Sequence, residues 1–174
     1  MSETARLGPA GMEVQEAASP PVAFEEFFEQ EGDGLYRALW LVTRSRFEAE
    51  ELTQEAFVRV LERWDRVSEM EDPHAYLYRT AMNAFRTSYG RALLAAKRTM
   101  RVLPADDAIA EIDERDAAVR ALARLSPRQR AAVVLTDMLG FGSEEAARML
   151  GIRASTLRMH ASRAHTALKE TMSP

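Results

Sequence analysis

Two short amphipathic segments, Ser143 to Leu150 and Ala154 onward, are separated only by Gly151, Ile152 and Arg153, and that spacing leaves the chain few ways to fold. Gly151 supplies a permissive turn and Ile152 returns an apolar side chain to the core, so the segment reads as helix, tight turn, helix. In the second of these helices, at about 100° per residue, Leu157, Ala161, Ala164 and Leu168 line one side. Ser155, Arg158, Met159, Ser162 and Thr166 line the other, with Arg163 at its edge. One face packs and the other can enter a major groove. Arg158 and Arg163 can grip guanine edges or phosphates, and Met159 can touch a thymine methyl. The blander alternative is an amphipathic surface helix in a small bundle, and periodicity alone does not exclude it.

Upstream signals extend the helical pattern. Ser126-Pro127-Arg128-Gln129 combines an N-cap, a proline at the first helical position and a glutamine at the third, and predicts a helix that buries Ala131, Val134, Leu135 and Met138 and stops at Gly140. Ile112, Val119, Leu122 and Leu125 suggest a helix before it. Nearer the N-terminus, Phe24, Phe27, Phe28, Leu35, Leu39 and Val42 fall at helical spacing, with Gly32 and Gly34 expected to bend or break that helix. Ser45 followed by Glu48 announces a second helix, carrying Ala49, Leu52, Ala56 and Val60 to about Trp64. Asp72-Pro73 opens a third, with Leu77, Ala81, Ala84 and Ser88 as its buried stripe. No segment alternates like a strand, so the expected fold is all-α: two small helical domains joined by a flexible linker, the second a helix-turn-helix.

Charge marks the boundaries. Residues 85 to 105 hold five basic side chains and no acid, whereas residues 106 to 116 hold six acids and one arginine. This reversal around Pro104 predicts a linker at 93–113, cut by proteases after Lys97, Arg98 or Arg101. Domains are expected at 22–92 and 114–172, after a flexible tail at 1–21 rich in Ala, Gly, Pro, Ser and Glu. Apolar residues form 47% of the chain and charged residues 29%, which excludes a wholly disordered or low-complexity protein. With no cysteine there is no disulfide framework, thiolate zinc site or cysteine nucleophile, and a cytoplasmic, non-exported, non-membrane protein is expected. The net charge of −4 argues against a freestanding high-affinity nucleic-acid binder but not against local basic patches.

Two surface patches, one acidic and one basic, are visible on the early helices. On the second helix Glu51, Gln54, Glu55 and Val58 cluster outward, suiting a basic protein partner or simply a solvated face. On the third, Arg79, Asn83 and Arg86 share a face, with Tyr76, Tyr78, Phe85 and Tyr89 interleaved. Bases stack on rings while guanidinium groups hold a single-stranded backbone, although helical aromatics more often belong to a core.

The segment Glu50 to Arg59 resembles the region 2 helix of bacterial RNA polymerase sigma factors, A-E-D-L-V-Q-E-x-F-x-R, and Tyr76 to Arg86 resembles its sequel W-L-x-R-x-A-x-N-x-x-x-D. Leu125 to Leu168 resembles region 4, with L-x-x-x-x-R, then E-x-A-x-x-L-G-I, then T-V-K-S-R-x-x-R-A. Three motifs in order, without the extra regions of housekeeping sigma factors, are similar to the small extracytoplasmic-function class.

The resemblance implies a promoter-specificity subunit that binds core RNA polymerase through its beta-prime clamp and beta subunits, recognises promoter DNA and helps open it. It implies that Glu51, Gln54 and Glu55 face the clamp. Arg79, Asn83 and Arg86, with the 65 to 75 loop, would face the minus-ten element. Ser155, Thr156, Arg158, Met159, Ser162 and Arg163 would face the minus-thirty-five element. An anti-sigma protein is a further possible partner by resemblance; no cofactor or metal is implied. Tyr76 stands where the family usually has Trp, Thr87 where it has Asp, Met82 where a basic residue is common, and Met159-His160 where it has Ser-Arg. The nearest alternative is a freestanding helix-turn-helix regulator of the LuxR type, which would need a sensory or receiver domain within 22–92. An enzyme is the weakest class: His74, His160 and His165 show no ligand spacing with carboxylates, Ser126 and Ser143 read as caps, and no Gly-rich phosphate loop appears.

Overall fold

The computed structural model describes residues 23–99 and 117–172, and every regular element among them is helical. The N-terminal pack contains α1 (Phe24–Thr43), α2 (Arg46–Leu61), the single turn α3 (Trp64–Val67) and α4 (Pro73–Thr99). The C-terminal pack contains α5 (Ala117–Ala123), α6 (Pro127–Val133) continued by a π-helical turn (Val134–Met138), α7 (Ser143–Leu150) and α8 (Ala154–Met172). The tail at 1–21 and residues 100–113 of the expected linker lie outside the described residues; 93–99, placed in the linker by charge, instead continue α4.

Local chemistry explains most helix ends. Ser45 Oγ accepts from Glu48 N at 3.2 Å, and Thr43 Oγ1 accepts from Ser45 N at 3.2 Å, which fixes the short step between α1 and α2. Asp72 Oδ1 accepts from Ala75 N at 2.8 Å before Pro73. At α6 the capping box is complete: Gln129 N donates to Ser126 Oγ and Ser126 N donates to Gln129 Oε1 at 2.9 Å. Ser143 does not cap; Gly142 holds the N-cap position of α7 with no side-chain bond, and Ser143 is the first helical residue.

Three further expectations are corrected. Helix α1 runs unbroken through Gly32 and Gly34, because both its halves bury apolar side chains and the bare Cα of Gly34 admits the Tyr78 hydroxyl, which would stand 3.2 Å from an added Cβ. Helix α2 ends at Leu61, and Trp64 opens α3, from which it packs on Phe24 and Phe27 at ring distances of 5.4 and 5.0 Å. Met138 is 56% exposed, because the π turn inserts a residue and rotates the end of this helix out of its expected phase.

The two packs share a core. A continuous apolar cluster takes in Phe27, Leu35, Leu39 and Val42 of α1, Leu77, Tyr78, Ala81 and Met82 of α4, and Val134, Leu135, Phe141, Ala146, Met149 and Leu157 of the second pack. Burying a large apolar side chain contributes roughly 1.5–3 kcal/mol, so a seam of this kind holds the packs together without help from the 100–116 connection. Leu122, Leu125, Val133 and Ala164 form a smaller cluster that Leu41 of α1 also touches.

Candidate polymerase and promoter interfaces

Helix α2 is anchored through Ala49, Leu52, Ala56, Phe57 and Val60, which turns Glu51 and Gln54 fully outward and leaves Glu55 half-buried. Glu55 Oε1 is 2.5 Å from Arg59 Nη2, an i to i+4 pair that orients its carboxylate along the helix. Exposed Val58 and Leu61 lie beside these acids.

Helix α4 presents Arg79 and Arg86 outward and Asn83 half-buried. The aromatic reading of this helix divides. Tyr78 and Phe85 are buried in the core and cannot stack on bases, whereas Tyr76 and Tyr89 remain partly exposed. Tyr76, standing at the family's Trp position, accepts from Arg63 Nη1 at 3.3 Å, tying α4 to the link ahead of α3. Thr87 Oγ1 donates back to Asn83 O at 2.9 Å within the helix. Burial, with a contribution from Glu31, pushes the Tyr78 hydroxyl up to about 12.

Helix α8 buries Leu157 and Ala164, with Ala161 and Leu168 partly covered. Ser155, Arg158, Met159, Ser162, Arg163 and Thr166 are exposed together on its outer side, as the 3.6-residue period requires, and Thr156 is half-buried. The turn before it closes as a Schellman motif: Gly151 has φ 62° and Ile152 N donates to Ala147 O at 3.0 Å. His160 lies partly covered beside this face; burial, then the charges of Arg128 and Arg163, hold its imidazole below the usual histidine range, so it is uncharged at neutral pH.

Sequence spacing missed the histidine partners because those partners are distant in the chain. His74 Nδ1 is 2.8 Å from Glu31 Oε2, and His165 Nε2 is 2.5 Å from Asp137 Oδ2 in the π turn. Burial raises the Asp137 carboxyl, but the hydrogen bonds from His165 and Thr136 and the His165 charge outweigh it, leaving Asp137 below the ordinary carboxylate value. Each is a pair; among the described residues no three such side chains converge on a metal-sized site. Arg130 is buried, with Nε donating to Val42 O at 3.0 Å and Nη1 to Leu125 O at 2.9 Å. The L-x-x-x-x-R spacing was the available signal for it.

Residues 27–93 match the sigma-70 region 2 family and residues 115–168 match sigma-70 region 4. The RNA polymerase sigma-E factor of Streptomyces avermitilis is 32% identical over 152 residues, spanning 86% of this chain and 84% of that protein. The ECF RNA polymerase sigma factor SigM of Mycobacterium tuberculosis is 30% identical over 147 residues, 84% of this chain and 75% of SigM. The chain belongs to the extracytoplasmic-function sigma factors. In fold, this sigma factor is similar to the sigma factor RpoE of Bartonella quintana, solved in complex with the anti-sigma factor NepR, with a TM-score of 0.66 at 22% identity over 86% of this chain and 96% of that one. A sigma factor is the subunit that gives RNA polymerase its promoter specificity, and region 2 occupies the stretch where a freestanding regulator would carry its sensor. No helix among the described residues is long and apolar enough to cross a membrane.

Proposed function

We propose that three surfaces divide the work of this sigma factor. Glu51, Gln54 and Glu55 of α2 dock on the beta-prime clamp of core polymerase. Arg79, Asn83 and Arg86 of α4 hold the minus-ten element. Ser155, Thr156, Arg158, Met159, Ser162 and Arg163 of α8 read the minus-thirty-five element. The observation that carries this division is the exposed Arg158, Ser162 and Arg163 face of α8, set behind a Schellman turn in a chain whose other pack exposes an acidic, aliphatic-edged helix. The chain carries a net charge of −4, so two small basic surfaces give weak DNA affinity alone and gain it when polymerase fixes their spacing. Promoter opening follows from differential binding: capturing flipped bases offsets an unstacking cost of a few kcal/mol. The chain itself makes and breaks no bond, acts in the cytoplasm, and is held by an anti-sigma protein when silent, a reading supported by the RpoE complex of Bartonella quintana.

Reconstitution with core polymerase tests the division. Co-purification followed by run-off transcription from a promoter pool is expected to yield a defined start-site motif. Failure to bind core polymerase would overturn the assignment of α2.

A further inference from the structure

Between its buried side and its outward side, α8 has two flanks. At about 100° per residue Arg158 and His165 fall on one flank, and Arg163 and His160 fall on the other with half-buried Thr156 between them. The first flank is matched within the chain, since His165 Nε2 meets Asp137 Oδ2 of the π turn at 2.5 Å. The second lies beside the start of α6. Ala131 and Ala132 share one apolar cluster with Leu157, and Val133 shares another with Ala164, which lays α6 along α8. Arg128 stands one helical turn before those alanines and is exposed, as is Arg163, while His160 is partly covered.

Three basic side chains from two helices are thus gathered at one edge, and no carboxylate answers them. None of the three side chains makes a hydrogen bond or ion pair among the described residues. Helices α5, α6 and α7 all pack on α8, yet the charges that act on His160 are only Arg128 of α6 and Arg163 of its own helix, and both disfavour the imidazolium. Like charges held together without a counter-ion repel, and an anion set among them removes that penalty. A histidine suits such a place because it withholds its charge until the anion arrives. Phosphates line the walls of the major groove, and a helix lying in the groove turns its flanks to them.

We infer that Arg128, His160 and Arg163 form a seat for one phosphate of the promoter backbone, on the groove wall beside α6. The inference deepens the reading of α8 proposed above and rests on it. The seat fixes the register of α8 in the groove and carries no base preference of its own. A backbone phosphodiester is already fully ionised, so the proton that His160 gains on binding comes from solvent. The imidazolium is favoured in the complex relative to the free chain. DNA binding therefore strengthens as the pH falls through the titration of the bound imidazole, and gains nothing further below that of the free one.

Equilibrium binding of the holoenzyme to a promoter from the run-off pool, read by fluorescence anisotropy, tests the seat. Arg128→Ala is expected to weaken binding at least threefold, equally for every upstream sequence, and to make the salt dependence shallower. From pH 8 to pH 6 the wild-type affinity is expected to rise at least threefold more than that of His160→Gln, and His160→Arg to bind at pH 8 as tightly as wild type does at pH 6. In the full-length chain, the His160 imidazole resonances are expected to titrate at higher pH once a duplex of random sequence is added at low salt. Arg128→Ala within twofold of wild type, matching pH profiles for wild type and His160→Gln, or an imidazole titration left in place by the duplex would each overturn the inference. If Arg158→Ala also leaves affinity unchanged, the α8 assignment falls with the seat, whereas loss in Arg158→Ala alone removes only the seat.

Discussion

Arg130 Nε donates to the carbonyl oxygen of Val42 at 3.0 Å, although 88 positions separate them in the chain. Val42 is in the last turn of α1, where carbonyls lack intrahelical donors and the helix dipole favours a cation. A buried guanidinium thus closes α1 while its other arm holds Leu125 O, ahead of the α6 cap. Removing it leaves buried acceptors on both sides. Arg130→Ala is expected to lower stability by about 2–3 kcal/mol in urea titration, and Arg130→Lys to recover only part, since an ammonium lacks the planar fork. A loss under 0.5 kcal/mol, on the order of a surface substitution, would refute the clamp.

Tyr78 should give the fold an alkaline edge. Its folded hydroxyl titrates at about 12 and its unfolded one near 10, so between those values the unfolded chain has lost a proton that the native chain retains. Stability is therefore expected to be level up to about pH 10 and to fall by about 1.4 kcal/mol per unit above it. Denaturation midpoints from pH 9 to 12 are the measurement, and Tyr78→Phe should flatten the slope.

Gly151 combines a φ of 62° with the Arg86 guanidinium overhead. Gly151→Ala is expected to cost about 1 kcal/mol from backbone strain, with Arg86 swinging away at little further cost because its side chain is flexible. Thermal melts of full-length protein should show the loss, and an unchanged melt would contradict the left-handed turn.

Charge reversal on α2 addresses the clamp. Glu51→Lys with Glu55→Lys is expected to weaken competition for core polymerase at least tenfold while circular dichroism stays unchanged. The helix is anchored by its buried stripe, and the Glu55–Arg59 pair on its surface contributes only a few tenths of a kcal/mol, so these acids are dispensable for folding.

On α8, Arg158→Ala is expected to cost roughly 1–3 kcal/mol in holoenzyme binding and to relax preference at one upstream base. If every upstream sequence weakens equally, Arg158 grips phosphate instead.

What could be read from the chain beforehand was whatever acts over a few residues. The Ser126 to Gln129 box, the Asp72-Pro73 start and the Gly151 turn each work within one helical turn and stand in the structure as expected. Tertiary partners were not legible. Gly34 looked like a break because nothing nearby announces that Tyr78 will lie against it. His74 and His165 looked unpartnered because Glu31 and Asp137 are brought to them only by packing. Periodicity showed which faces of α2 and α8 point outward; it could not show that the apolar side of α4 would pack against α7.

The π turn at Val134 to Met138 works as a phase shifter. Leu139 N reaches back to Val134 O and Phe141 N to Leu135 O, each at 3.0 Å, the first one residue and the second two residues wider than the usual α-helical closure. Residues before the turn keep the angular register that meets α1, Asp137 within it is aimed at His165, and Phe141 beyond it is brought to His74. A single-residue deletion here would restore an ordinary helix and rotate the α7–α8 helix-turn-helix by about 100° against the helices that precede it. Length in this stretch, more than residue identity, is therefore what a lineage would have to keep constant.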